Sequence, residues 1–109
     1  NHAMIAKDRD WKLSPAYDLT PSMPVSLERR DLALSCGEVG RYAHAENLLS
    51  QCARFYLKRE EADALIAEME RRIAATWYET ARREGVSEQD CETIKTAFVY
   101  PGFRLDLGE

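Results

Sequence analysis

The chain has 109 residues, enough for one hydrophobic core and too few for two domains. Hydrophobic residues make up 45% and charged residues 31%, as in an ordinary globular chain, and the formal net charge of −4 argues against a nucleic-acid-binding surface. There is no apolar run of the roughly 18–20 residues that a membrane span needs and no signal peptide. The cysteines are odd in number and lack the spacing of a disulfide framework, so a cytoplasmic protein is predicted.

Residues 1–22 carry the pattern of a β-hairpin. An apolar run at residues 3–6 has strand character, residues 7–10 form a charged turn, and residues 11–14 alternate apolar with polar side chains. Pro15 then ends the pairing, because proline has no backbone N–H to donate. The start of the chain is therefore predicted to fold back on itself.

This hairpin predicts that Asn1 and Asp18 lie side by side at its open end. One amide oxygen and one carboxylate on a rigid support suit Mg²⁺, which takes oxygen ligands and shares them with phosphates. Protein kinases arrange an asparagine and an aspartate in this way. Two alternatives stay open: Asn1 belongs to a vector-derived leader ahead of Met4, and Asp18 is an ordinary turn former. A zinc site is not predicted, since the chain has only two histidines and no Cys-x-x-Cys pair.

After the hairpin, the sequence predicts an irregular link. Two prolines within residues 20–24 exclude helix and central strand, and residues 25–27 are predicted to be extended. Residues 31–35, with a Leu-Ala-Leu core, predict a strand or a buried turn. Gly37 and Gly40 then bracket a flexible connection into the helices.

Two amphipathic helices come next. The first is predicted over residues 45–56, because apolar side chains recur along it at i, i+3, i+4 and i+7. The second is the longest, from about Glu60 to Glu84, and Gly85 supplies the left-handed position that ends it. Their apolar stripes, which we interpret as core, are Ala45, Leu48, Leu49, Cys52, Ala53 and Tyr56 in the first helix and Ala62, Leu65, Ile66, Met69, Ile73 and Trp77 in the second.

A third helix is predicted to begin at Ser87, which forms a capping box with Asp90, and to stop before Pro101. Residues 103–107 alternate apolar with polar side chains, which predicts either a short packed strand or a disordered end. The predicted fold class is α+β and mostly helical, with a short β-hairpin followed by a three-helix antiparallel subdomain. The side chains that the third helix is expected to bury are Cys91, Ile94, Ala97 and Phe98.

Residues 13–19, Leu-Ser-Pro-Ala-Tyr-Asp-Leu, match in full a motif of a known family, Leu-Ser/Ala-Pro-x-Tyr-Asp-Leu. Asn1 matches the last residue of the family's preceding Asp-x-His-x-x-Asn motif, and residues 32–37 are similar to its Leu-Ala-Leu-x-x-Gly segment. The helices as far as Trp77 resemble the family's C-terminal helices. The chain thus resembles the C-terminal part of the protein-kinase-like large lobe of HipA-type serine/threonine kinases, the toxins of bacterial toxin–antitoxin modules.

The resemblance implies a function for the parent protein. It implies transfer of the ATP γ-phosphoryl group to a serine or threonine of a protein substrate, with Asp18 binding the Mg²⁺ that bridges the phosphates and Asn1 completing its ligands. It also implies a HipB-like DNA-binding antitoxin as a partner, and substrates such as an aminoacyl-tRNA synthetase. The 109 residues then form a HipA-like C-terminal domain fragment, with the metal-site hairpin and linker at residues 1–36 and the helical subdomain at residues 37–109.

Several parts of such a kinase have no counterpart in this sequence. These are the family's catalytic aspartate, its glycine-containing phosphate loop and its nucleotide-binding lysine, and the five glycines form no glycine-rich signature. We therefore expect a fragment that is inactive alone. The alternative from another class is a free-standing helical interaction module without catalysis, whose helices offer an apolar groove to a partner.

Overall fold

A computed structural model describes residues 1–22 and 29–105 of the chain. The chain opens with an antiparallel hairpin made of strand β1 (Met4–Lys7) and strand β2 (Asp10–Leu13). Met4 pairs with Leu13 and Lys7 with Asp10, so the turn is shorter than the sequence predicts. Asp8 makes this tight turn possible by taking a left-handed φ of 58°, a conformation that aspartate tolerates better than most residues. The predicted hairpin is confirmed.

The helical part, within the described residues, consists of three α-helices and two 3₁₀ turns. They are α1 (Ala45–Leu49), a 3₁₀ turn (Cys52–Phe55), α2 (Arg59–Arg83), α3 (Glu88–Phe98) and a last 3₁₀ turn (Pro101–Phe103). The predicted fold class, α+β and mostly helical, is confirmed. The predicted division of the chain at residues 36 and 37 stays a prediction. The predicted extended segment at residues 25–27 lies outside the described residues.

The first helix is shorter than predicted. It ends at Leu49 instead of continuing through Tyr56, which has a left-handed φ of 57° and is 98% exposed. The side chain of Ser50 explains the break, because its hydroxyl donates to the Asn47 carbonyl at 2.6 Å and accepts from the Glu38 amide at 2.9 Å. A serine that bonds backbone groups in this way competes with the continuing helical ladder.

The long helix α2 begins and ends within one residue of its predicted limits. At its start the Glu61 carboxylate accepts from the Lys58 amide at 2.9 Å, which satisfies a backbone donor just outside the helix. At its end Gly85 has a φ of 89° and donates to the Arg82 carbonyl at 3.1 Å. Local signals of this kind do not depend on tertiary partners, and the prediction is confirmed.

Helix α3 packs against α2. The Ser87 hydroxyl accepts from the Asp90 amide at 3.0 Å, as the predicted cap requires, and Cys91 is fully buried. Trp77 of α2 and Phe98 of α3 stack with ring centroids 5.0 Å apart. This contact places the end of α3 beside the C-terminal half of α2.

Two groups of predicted core residues are exposed instead. Leu34, in the Leu-Ala-Leu segment at residues 31–35, is 78% exposed. The start of that segment pairs with residues 41 and 42, through a bridge between Asp31 and Tyr42 and a bond from the Leu32 amide to the Arg41 carbonyl at 2.7 Å. The apolar stripe of α2 is wider than the part of the helix surface that α1 and α3 cover. The side chains left outside that contact, all with more than two fifths of their surface exposed, are Leu65, Met69 and Ile73.

The core around α1 depends on a buried polar residue. Asn47, 2% exposed, donates to the Gly40 carbonyl at 3.0 Å and the Tyr42 carbonyl at 2.8 Å, and its side-chain oxygen accepts from the Val39 amide at 2.7 Å. Gly37 lies so close that a Cβ there would be 1.9 Å from the Asn47 carbonyl oxygen. The loop before α1 is thus tied to the helix by backbone contacts that no side chain at position 37 would allow.

The chain exposes more surface than a compact monomer of its size. Its accessible surface is 8,884 Å², against about 6,200 Å² for a typical folded monomer of this mass. Its radius of gyration is 16.0 Å, whereas about 13 Å is typical of a compact domain of this length. All residues of β1 and β2 are exposed, so the hairpin accounts for part of this excess.

Candidate metal site

The open end of the hairpin is closed by hydrogen bonds that continue beyond the strands. The Ser14 amide donates to the Ala3 carbonyl at 2.6 Å, and the Ser14 hydroxyl accepts from the Ala3 amide at 2.9 Å and donates to the Pro15 carbonyl at 2.9 Å. This serine therefore takes over the bonding that Pro15, without an N–H, cannot continue. The chain stays close to its first residues after the ladder has ended.

Tyr17 holds the next segment against the first residues. Its amide donates to the Asn1 carbonyl at 3.2 Å and its hydroxyl donates to the His2 carbonyl at 3.3 Å. Both contacts go to backbone carbonyls, those of Asn1 and His2. The Leu-Ser-Pro-x-Tyr-Asp-Leu segment therefore also has a structural role, because the hydrogen bonds of Ser14 and Tyr17 to residues 1–3, which we call the clasp, hold it against the start of the chain.

The structure brings Asn1 and Asp18 together. The Asn1 side-chain amide Nδ2 donates to the Asp18 carbonyl at 2.9 Å, across 17 positions of sequence. Asp18 has a left-handed φ of 52°, which is uncommon for a residue with a side chain. Within the described part of the chain, its carboxylate makes no hydrogen bond or ion pair, and both residues are exposed. The sequence prediction of their closeness agrees with this geometry, and their role as metal ligands stays a prediction.

Both residues line one cavity of about 330 Å³. Leu19, Thr20 and Pro21 form its wall on the side of the chain that leaves Asp18, and Phe98 of α3 closes it from the helical part. Sequence patterns did not indicate Phe98 as part of this site, because it lies on the apolar stripe of α3 and also packs on Trp77. Only the folded chain brings it there.

The donor set fits a shared Mg²⁺ site. Because Asn1 uses Nδ2 for the Asp18 carbonyl, its amide oxygen Oδ1 is the side-chain atom that remains to bind a cation in the cavity that Asp18 also lines. Mg²⁺ is commonly bound through one or two protein oxygens, with water and substrate phosphates supplying the rest. Among residues 1–22 and 29–105, no group of three or more His, Cys, Asp and Glu side chains is arranged to hold a metal ion. The two residues thus suit a metal that arrives with a phosphate ligand.

Comparison with known proteins identifies the family. The family model described as the HipA-like C-terminal domain matches residues 1–77, which include the hairpin, Asn1, Asp18, α1 and most of α2. No curated protein and no solved structure matches the chain. In the described residues, no helix is both long and apolar enough to cross a membrane. Because the family model covers well over half of the sequence, the chain belongs to the HipA-like C-terminal domain family.

Proposed function

We propose that this chain is the C-terminal part of a HipA-like toxin kinase, which transfers the γ-phosphoryl group of ATP to a serine or threonine of a protein substrate. In this proposal Asn1 and Asp18 bind the Mg²⁺ that accompanies ATP. The observation that supports it is the contact between Asn1 and Asp18, which both lie in the family-matched segment and line one cavity, and the Asp18 carboxylate has no partner among the described residues.

The residues of the site have distinct roles in this proposal. Asp18 supplies the negative charge, Asn1 supplies a neutral oxygen, and the clasp fixes the distance between them. Bound Mg²⁺ would neutralise the charge that develops on the phosphates. A support that holds its ligands before the reaction avoids the cost of reorganising them during it.

The remaining parts of the proposal follow the family. The base that accepts the substrate proton and the loop that binds the phosphates are assigned to residues outside these 109, so the chain alone is expected to be inactive. A HipB-like DNA-binding antitoxin as partner, a protein substrate and a location in the cytoplasm belong to the same proposal.

A second candidate function has its own support. The outer face of α2 exposes Leu65, Met69 and Ile73 as one apolar strip, and a cavity of about 340 Å³ lies between α2 and the end of α3. An interaction module without catalysis would use such a surface for a partner. It would have no use for the Asn1–Asp18 contact, so that contact separates the two functions.

The test is metal binding by the 109-residue chain itself. Mn²⁺, which replaces Mg²⁺ at oxygen sites, broadens NMR signals of nearby amides, and we expect broadening around residues 17–20 when Mn²⁺ is added with ATP. Asp18→Asn should remove it. Asp8→Asn is the matched control, because Asp8 has the same left-handed backbone at the opposite end of the hairpin. Equal broadening in both variants, or none in the unmodified chain, would refute the metal role.

A further inference from the structure

Ser22, on the segment that leaves the candidate metal site, contacts an arginine from later in the chain. The Arg30 guanidinium donates to the Ser22 hydroxyl oxygen at 2.6 Å and, through its other terminal nitrogen, to the Ser22 carbonyl at 3.2 Å. Ser22 is exposed. In the described part of the chain, no other serine or threonine hydroxyl is bonded to a guanidinium. This pairing distinguishes Ser22 from the other hydroxyl residues.

Among residues 1–22 and 29–105, the other serines with hydrogen-bonded hydroxyls bond to the backbone. The hydroxyl oxygens of Ser14, Ser50 and Ser87 each accept a backbone N–H, at 2.9, 2.9 and 3.0 Å. A bulky anion on any of these oxygens would disturb a turn or a helix cap. Among the described residues no backbone N–H donates to the Ser22 hydroxyl, and its partner is the guanidinium cation of Arg30.

Arg30 is held in place on the core. Its carbonyl accepts from the amide of Ala43, a buried residue, at 2.8 Å, and Arg30 is itself half-buried. Among the described residues no carboxylate pairs with the Arg30 guanidinium, whereas the guanidinium of the neighbouring Arg29 pairs with Asp31 at 3.2 Å. Arg30 is therefore a fixed positive charge whose described partners are neutral oxygens.

We propose that Ser22 is a phosphorylation site and that Arg30 receives the phosphate. A protein kinase using ATP would form the bond between the Ser22 Oγ and the γ-phosphorus, break the bond from that phosphorus to its bridging oxygen, and release ADP. The hydroxyl proton would pass to the base of that kinase. The phosphate carries about two negative charges at neutral pH, and a guanidinium binds two of its oxygens at once.

Phosphorylation of Ser22 would restrict the movement of the segment between Asp18 and Ser22. Thr20 and Pro21, which line the cavity with Asp18, lie within this segment. A charge-assisted bond at Ser22 fixes the end of the segment more firmly than the neutral hydroxyl does. The modification site does not depend on the metal role of Asp18; only its effect on phosphoryl transfer rests on the proposed function.

Two measurements test the proposal. In the 109-residue chain synthesised with phosphoserine at position 22, ³¹P NMR over a pH series reports the second pKa of the phosphate, ordinarily about 6. We expect a lowering by about 0.5–1 unit, since an opposite charge favours the dianion at a partly exposed site. Arg30→Gln should abolish the lowering, Arg30→Lys should retain part of it, and Arg83→Gln, at the far end of α2, should leave it intact. The retention in Arg30→Lys separates loss of charge from a change of fold.

The second measurement is mass spectrometry of the protein recovered from the cells that produce it. We expect phosphate on the peptide that contains Ser22, and none on that peptide in Ser22→Ala. Recovery of this peptide only in unmodified form would overturn the acceptor role of Ser22. A phosphate pKa that is the same with and without the Arg30 guanidinium would overturn its role as receptor. Neither result depends on Mn²⁺ binding, so failure here and failure of the metal site are distinguishable.

Discussion

Trp77 on α2 and Phe98 on α3 stack with their planes 8° apart, and Phe98 also lines the cavity that contains Asn1 and Asp18. One aromatic pair therefore links the packing of the two longest helices to the candidate metal site. Damage to this pair is expected to affect both stability and the wall of that cavity.

We expect Trp77→Ala to lower the free energy of unfolding by about 3 kcal/mol. This value is at the lower end of the range for removal of a large aromatic side chain from a core, because Trp77 is only half-buried. Urea unfolding followed by circular dichroism measures it. Trp11→Ala is the matched control, since Trp11 is 67% exposed on the hairpin and should change stability by less than about 0.5 kcal/mol. Equal effects of the two substitutions would contradict the assignment of Trp77 to the core.

In the intact parent protein, Asp18→Asn is expected to lower phosphoryl transfer by on the order of 100-fold or more, because a neutral amide is a poor substitute for a charged metal ligand. Asn1→Ala should have a smaller effect, since water can replace a neutral oxygen. Stability should change little, because the Asp18 carboxylate has no described partner. Activity at several Mg²⁺ concentrations, alongside thermal unfolding, measures this, with Asp8→Asn as control. A large loss of stability in Asp18→Asn would instead indicate a turn former.

Tyr100→Phe is expected to stabilise the chain by about 1 kcal/mol at neutral pH. Among the described residues the buried hydroxyl of Tyr100 has no hydrogen-bond partner, so its removal ends a desolvation cost. Tyr17→Phe should do the opposite, losing about 0.5–1.5 kcal/mol, because its hydroxyl donates to the His2 carbonyl. Thermal unfolding of both variants checks the difference in sign.

The same residue predicts a loss of stability at alkaline pH. Burial, with a smaller contribution from the neighbouring Tyr42, raises the pKa of the Tyr100 phenol above its ordinary value. The folded state therefore favours the neutral phenol, and this contribution is complete below the ordinary pKa of about 10 and is lost as the pH rises above it. Tyr100→Phe should show a smaller alkaline loss than the unmodified chain. Identical alkaline profiles would contradict this assignment.

Arg104→Gln is expected to cost about 0.5–1.5 kcal/mol, a value kept low because the side chains of Arg104, Asp63 and Glu70 are each more than a third exposed to solvent. The guanidinium donates to Glu70 at 2.9 and 2.6 Å and to Asp63 at 2.9 Å, which ties the last 3₁₀ turn to α2. Arg104→Lys should not restore stability, because an ammonium group cannot make the forked contact. Hydrogen exchange at the Phe103 amide would locate the effect; unchanged exchange would contradict the role of this clamp.

The sequence predicted the elements whose signals are local. The hairpin, the limits of α2 and the Ser87 cap depend on neighbours within a few positions, and each is confirmed. The early end of α1 was missed because Ser50 bonds to Glu38, a contact created by tertiary folding. The exposure of Leu34 was missed because apolar character does not say whether a partner surface is present.

In the candidate site, too, the sequence predicted the local contact and missed the contacts that tertiary folding creates. The closeness of Asn1 and Asp18 followed from the hairpin alone. Phe98 and Arg30 reach the neighbourhood of this segment from other parts of the chain, and no spacing rule indicates such an approach. The contact between Arg30 and Ser22 joins residues eight positions apart, and the sequence analysis did not anticipate it.

The exposed hairpin has a practical consequence for work with this chain. In the described residues, β1 and β2 pair only with each other, so each has an open edge, and the side chains of Met4, Ile5, Trp11 and Leu13 are all more than half exposed. Open edges with apolar side chains promote strand pairing between molecules. We expect the 109-residue chain to self-associate as its concentration rises, which sedimentation velocity would show. Ile5→Lys, which places a charge on β1, should restore a monomer; an association unaffected by this change would implicate the outer face of α2.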